Sequence, residues 1–261
     1  MMKIFLSEYK SDYDHYIFPY AVWATLEHGE SPAAAFSRGF LPNSHQLDRF
    51  YMCRNVRVPL NEFAPSSENR RIMRKGEGVH YSLLSRDEFG FTPEWRRFCK
   101  QYADRKFGEG VMSDERLDSL FNSRICSHVM RYQNSESQQD IGLVVLYLQP
   151  PDLVFYYYAF YDLDYYEKNL GMYMMTSTVQ HMQSQGCDYI YLGSCYHRRA
   201  LYKTQFNGVQ FWTGVRWSDN LNELKYLIKR EQEPVTQHLL ETDEYRQQFG
   251  PEQLEETLFR C

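Results

Sequence analysis

The chain has 261 residues, with 29 Lys and Arg against 34 Asp and Glu, a formal net charge of -5, and is 43% hydrophobic and 24% charged. That balance fits a globular protein with a real core, and it excludes both a disordered polyanion and a chain coated in positive charge for indiscriminate nucleic-acid binding. The length accommodates one large domain or two lobes sharing an interface.

Met1 to Tyr20 mixes acids and tyrosines where an export signal needs an unbroken apolar stretch, so a cytoplasmic protein is expected. A short helix is predicted from Pro32 to Gly39 and a strand around Asn55 to Leu60. Between Cys53 and Lys75 the basic residues Arg54, Arg57, Arg70, Arg71, Arg74 and Lys75 face only Glu62 and Glu68, a compact basic segment in an acidic protein. Ser66-Ser67-Glu68-Asn69 can cap a helix that Gly76 ends, and residues three and four apart are neighbours on a helix. Arg70, Arg71 and Arg74 therefore form either a phosphate clamp or a solvated face.

Thr92-Pro93-Glu94 opens a helix carrying Trp95, Phe98, Cys99 and Tyr102 at helical spacing, and Ser113 caps a second. Three strands follow, Val129 to Gln133, Gly142 to Gln149 and Val154 to Tyr161, with turns at Asn134 to Asp140 and Pro150-Pro151-Asp152: an antiparallel meander. The longest apolar run, Ile141 to Leu148, is too short to cross a bilayer and reads as a buried strand. Leu170 to Gln185 reads as a helix closed by Gly186, followed by the strand Tyr189 to Leu192. Helix, meander, helix and strand is the order of an acetyltransferase-like (GNAT) fold. The expected class is α+β, a mixed sheet flanked by helices, divided into a smaller N-terminal lobe (1–90), a transferase domain (91–218) and a helical tail (219–261). The 22 tyrosines and 17 phenylalanines suit an aromatic core or a base-stacking surface. The six cysteines lack paired short spacing, so neither a disulfide framework nor a metal site is indicated.

Several segments, in order, resemble the arginyl-tRNA protein transferases and their bacterial leucyl-transferring relatives. They are Cys53 to Pro65 with Arg70-Arg71, then Gly108 to Met112, then Phe160-Tyr161-Asp162-Leu163-Asp164, Leu170-Gly171-Met172-Tyr173, Tyr189 to Gly193, and Tyr202-Lys203-Thr204-Gln205-Phe206. The family's paired N-terminal cysteines are replaced by Phe50-Tyr51-Met52-Cys53, with His15 to Pro19 where an earlier cysteine element stands, so the resemblance does not carry over that lobe's metal site. After Gly193, Ser194-Cys195 replaces the family's Tyr-Trp.

The resemblance implies a transferase that moves the aminoacyl group of aminoacyl-tRNA onto an amine, either a protein N-terminus or a small acceptor, with no cofactor and no membrane partner. An aminoacyl ester is already activated, so the enzyme must position a neutral amine and accept its proton. Asp162 is the candidate catalytic carboxylate, with Asp164 beside it; the alternative is that both shape a turn. Tyr161, Gly171, Tyr173, Tyr202 and Lys203 are candidate substrate-binding residues, and the six basic residues from Arg54 to Lys75 candidates for tRNA. Simple packing is the alternative for Tyr202. An acyl-CoA-dependent N-acetyltransferase and a non-catalytic tRNA-binding relative are the competing functions. Tyr173 stands where a small residue would admit the coenzyme A pyrophosphate, which argues against the first.

Overall fold

The computed structural model describes residues 2–250 and, at 166–168, the backbone alone. The chain runs β1 (Lys3–Glu8), β2 (Tyr20–Thr25), α1 (Pro32–Phe36), β3 (Phe40–Pro42), β4 (Arg49–Met52), β5 (Asn55–Pro59), α2 (Ser67–Lys75), β6 (Val79–Ser85), α3 (Arg86–Phe89), α4 (Pro93–Phe107) and α5 (Asp114–Phe121). It continues through β7 (His128–Asn134), β8 (Asp140–Gln149), β9 (Leu153–Tyr161), α6 (Leu170–Ser184), β10 (Tyr189–Ser194), β11 (Gln210–Trp212), β12 (Trp217–Ser218), α7 (Leu221–Arg230) and α8 (Asp243–Phe249).

Helix starts follow the capping chemistry legible in the sequence. At α2, Ser66 accepts from the Asn69 amide while the Asn69 side chain accepts from Ser66 N–H, and Glu68 complements the positive end of the helix dipole. At α4, Thr92 accepts from Trp95 N–H and Pro93 occupies the first turn, where its missing N–H costs nothing.

The eight-stranded sheet has the order β12-β11-β5-β10-β9-β8-β7-β6. Its pairs are antiparallel except β9 with β10, which run parallel because α6 crosses between them. β8 is buried along most of its length, as a strand covered on both faces must be. One face packs under α2, α6 and α7 around Val58, Met174, Ile190 and Leu224; the other packs under α1, α4, α5 and the small sheet around Phe36, Phe121, Phe160 and Tyr191.

Two of the three register shifts in the main sheet border β9 and β10 and open it there. Val145 pairs with Tyr158 but the next residue, Leu146, pairs with Tyr156, so Tyr157 is the extra residue of β9. On β10, Leu192 is extra between Tyr191 and Gly193, and Gly193 takes a φ of 83°, a conformation in which a side chain would be strained. A bulge bends its strand. The parallel ladder accordingly holds only Val154 with Ile190 and Phe155 with Tyr191, and beyond Phe155 the strands part.

The expected boundary near residue 90 falls inside this sheet. β5 sits between β10 and β11, and β6 forms the far edge, both from the first 90 residues. The remaining N-terminal strands form a separate sheet in the order β1-β2-β4-β3, yet they share a core with the large one. Phe36 of α1, fully buried, meets Phe155 and Tyr191 edge-on with centroids 5.0 and 5.1 Å apart, pairs contributing about 0.5–1.5 kcal/mol each beyond area burial. Nor is the tail peripheral throughout: α7 buries Leu224, Leu227 and Ile228 in the main core. Residues 251–261 of the expected tail lie outside the described residues.

Candidate active site

The parted ends of β9 and β10 bring together residues from four segments. Tyr161 ends β9, and its ring lies 4.8 Å from that of Tyr102 on α4. Its other side rests on Gly171, where a Cβ would come within 3.0 Å of the ring and hydroxyl. The glycine that opens α6 thus makes room for an aromatic ring of the protein itself. Asn169, with φ 55°, turns the chain into α6 without a side-chain cap.

The 3-10 turn Arg198–Thr204 contributes Tyr202 and Lys203. Tyr202 neighbours Tyr161 and Cys195 and is 41% exposed, so stacking is open to it. Lys203 donates from Nζ to the Ser194 carbonyl at 2.9 Å, and the same nitrogen lies 3.4 Å from where a Gly193 Cβ would be. Burial lowers the Lys203 pKa, with the neighbouring Cys195 and Cys53 thiols opposing that shift. Burial also pushes the Cys53 thiol up to about 12, so Cys53 stays a neutral thiol, as a packed cysteine does.

Desolvation of Lys203 predicts a pH dependence of stability. Between its lowered folded pKa and the ordinary 10.5, the unfolded chain binds more protons than the folded one, so stability rises with pH across that window. Urea midpoints measured through the alkaline range are expected to climb less in Lys203→Met than in the parent. Equal slopes would show the ammonium to be solvated.

Asp162 follows β9 directly. Its N–H donates to the Ile141 carbonyl and its Oδ1 accepts from Asp164 N–H at 2.9 Å, so it does shape the turn anticipated for it. Asp164 is exposed and lies 3.5 Å from Arg105. Tyr173 points elsewhere: it is buried against α2, where a Cβ on Gly76 would fall 2.0 Å from its ring, and its hydroxyl donates to the Val79 carbonyl. Tyr173 therefore lies outside the group around Tyr161.

The basic residues divide. Arg70, Arg71, Arg74 and Lys75 are exposed along α2, with Arg70 donating to the Pro65 carbonyl and Arg71 paired to Glu68. Arg54, its side chain 10% exposed, is paired with Glu231 and stacked on Tyr196. Arg57 lies between the Tyr189 and Trp217 rings at 4.3 and 4.0 Å and donates to Gln210. The fold thus separates two structural arginines from a charged helix.

A cleft of about 400 Å³ adjoins the end of β10, lined among others by Trp23, Tyr51, Cys53, Arg54, Tyr196 and Trp212. The buried indole N–H of Trp212 and both amide atoms of the fully buried Asn55 lack protein partners. The sequence reading did not single out Tyr102, Trp212 or Asn55 as site residues. Tyr102 was visible only as one apolar position among several on α4. Among the described residues, no group of three His, Cys, Asp or Glu side chains is placed to hold a metal ion, and no helix is long and apolar enough to cross a membrane.

Comparison with known proteins points to the same region. The family "Arginine-tRNA-protein transferase, C terminus" matches residues 94–213, from α4 through β11. An aspartate/glutamate leucyltransferase of Chromobacterium violaceum is 26% identical over 178 residues, covering 65% of this chain and 70% of its own length. The Ruegeria pomeroyi protein of the same name is 24% identical over 208 residues, covering 77% and 72%. Among solved structures, L-PGS from Bacillus licheniformis matches with a TM-score of 0.43 and 13% identity over 55% of this chain, which spans 46% of that structure. FemX matches with a TM-score of 0.41 and 7% identity, over 54% of this chain and 52% of its own. The family match and these aligned relatives support a member of the aminoacyl-tRNA protein transferase family, a family of aminoacyltransferases.

Proposed function

We propose that the protein transfers the aminoacyl group of an aminoacyl-tRNA to the amine of an acceptor, forming an amide and releasing the tRNA 3′-terminal hydroxyl. The observation that carries this reading is the opening between β9 and β10, on which Tyr161, Tyr202 and Lys203 converge, with Asp162 following Tyr161 in the chain. In open sheets ligands enter at the carboxyl ends of strands that part.

An α-amino group titrates near roughly pH 8, so much of the acceptor arrives protonated. Asp162 draws the ammonium in and takes its proton, freeing the lone pair; after nitrogen attacks the ester carbon, its second surplus proton passes to the departing ribose oxygen. Lys203 keeps two N–H bonds beyond the one to Ser194 and is poised to steady negative charge at the terminal ribose or the developing oxyanion. Tyr202 offers a face for the terminal base, and the exposed basic residues of α2 follow the phosphate backbone. The relatives are named for leucyl transfer to aspartate or glutamate, which makes leucyl-tRNA and acidic N-termini the first pair to test here. The acyl-CoA alternative loses support from Tyr161, whose ring covers Gly171 where a pyrophosphate would approach the helix.

Incubation with tRNA charged with labelled amino acids and peptides bearing different N-terminal residues is expected to yield peptides extended by one residue. Absence of product from every charged tRNA, together with specific calorimetric binding of acetyl-CoA, would replace this reading by the acetyltransferase one.

A further inference from the structure

β1 is exposed at every residue although it carries Ile4, Phe5 and Leu6, which are 50%, 45% and 62% accessible. It pairs with β2 on one side and with no described strand on the other. The ladder continues past Glu8 and Tyr20 to a bond from Tyr9 N–H to the Pro19 carbonyl. Because hydrogen-bonded pairs alternate along an antiparallel ladder, Lys3, Phe5 and Ser7 turn their backbone groups to β2, while Ile4, Leu6 and Glu8 turn theirs outward. Proteins usually guard such an edge with proline, a bulge or central charge; this one has charge only at its ends, Lys3 and Glu8.

We propose that this edge joins the same edge of a second copy across a two-fold axis at Phe5, making one eight-stranded sheet from two four-stranded ones. The occupant follows from the strand's self-complementarity. Outward backbone groups must meet outward groups, so even-numbered residues pair with even-numbered ones. Centring on Phe5 places Ile4 opposite Leu6 of the second copy and the reverse, Lys3 opposite Ser7, and Glu8 opposite Met2. No like charges meet, and every central apolar residue faces another. A shift of two residues along the partner strand breaks this, setting Ile4 opposite Glu8 or Phe5 opposite Lys3.

The flanking strands support the same centre. Phe5 lies opposite Trp23, and Trp23 opposite Tyr51, an aromatic row across β1, β2 and β4. Pairing Phe5 with Phe5 continues that row through the axis into the second copy's Trp23 and Tyr51. Since Trp23 and Tyr51 also line the 400 Å³ cleft, the row connects the two clefts. The sheet's other edge is the three-residue β3 ending on Pro42, which cannot extend pairing, so assembly closes at two.

Sedimentation equilibrium of the full 31.3 kDa chain at micromolar concentration is expected to show a concentration-dependent doubling of mass. Leu6→Pro deletes an outward N–H without touching the β1–β2 bonds, and this variant is expected to sediment as a monomer. Register is read by oxidation in a Cys261→Ser background. Phe5→Cys sits at a closely spaced pair on the axis and is expected to cross-link. Ser7→Cys, facing Lys3, is expected not to. A parent that stays monomeric, a dimer untouched by Leu6→Pro, or cross-linking at Ser7→Cys in place of Phe5→Cys would each overturn the proposal.

Discussion

Asp162→Asn is expected to slow aminoacyl transfer about 10²–10⁴-fold, roughly 3–5 kcal/mol of barrier, with the fold intact. The substitution isolates charge from shape. Asp162 organises its turn through Oδ1, which accepts from Asp164 N–H, and the asparagine carbonyl can accept that bond equally well. What asparagine cannot do is attract an ammonium or take its proton. The loss is therefore expected in kcat, with a smaller change in the KM for aminoacyl-tRNA, and Asp164→Asn should fall far less because that carboxylate is solvated beside Arg105. Parental turnover in Asp162→Asn would leave the aspartate a turn former only and move the search for a proton acceptor elsewhere in the opening.

Glu223→Leu is expected to destabilise the protein by about 2–5 kcal/mol. Glu223 is fully buried at the first turn of α7, accepting from Ser218 Oγ at 2.7 Å and Tyr245 Oη at 2.6 Å, with Arg216 3.7 Å away. Leucine matches its bulk but leaves two buried hydroxyls without their acceptor. Burial and the adjacent carboxylate already hold the Tyr245 hydroxyl well above its usual range, so it donates to Glu223 at any physiological pH. Glu223→Gln keeps an acceptor and should recover part of the loss. Urea midpoints for the two variants within error of the parent would show that this network contributes specificity but no net stability.

Much of the fold was legible because its signals are local. The caps at Ser66, Thr92 and Ser113, the apolar run from Ile141 and the turn at Pro150 depend on neighbours in sequence, and each lies where it was expected. The insertion of β5 beside β10 was not legible, since Val56 and Val58 read equally well as a strand of any sheet and only long-range pairing decides which. Charge counting likewise grouped Arg54 and Arg57 with the α2 arginines. Their partners, Glu231, Tyr189 and Trp217, come from distant segments that no spacing rule connects. Around the opening, Tyr161, Tyr202 and Lys203 were named and do converge, whereas Tyr173 follows the helical turn away toward Gly76. Tyr157 offers no sign in its own residue type that it is the surplus position that bends β9.

The placement of β5 also orders events in time. Pro59 pairs with Tyr189 and Val58 with Ile190, so this strand emerges from the ribosome long before its neighbour exists. Loop-closure entropy must be met before that pairing returns any energy, which makes closing the sheet a late and slow step. Until then the Asn55–Pro59 segment is an unpaired strand rich in valine, a site for chaperone capture. For the same reason, residues 94–213 expressed alone would present β10 with a bare edge where β5 belongs, and are expected to aggregate unless that strand is supplied.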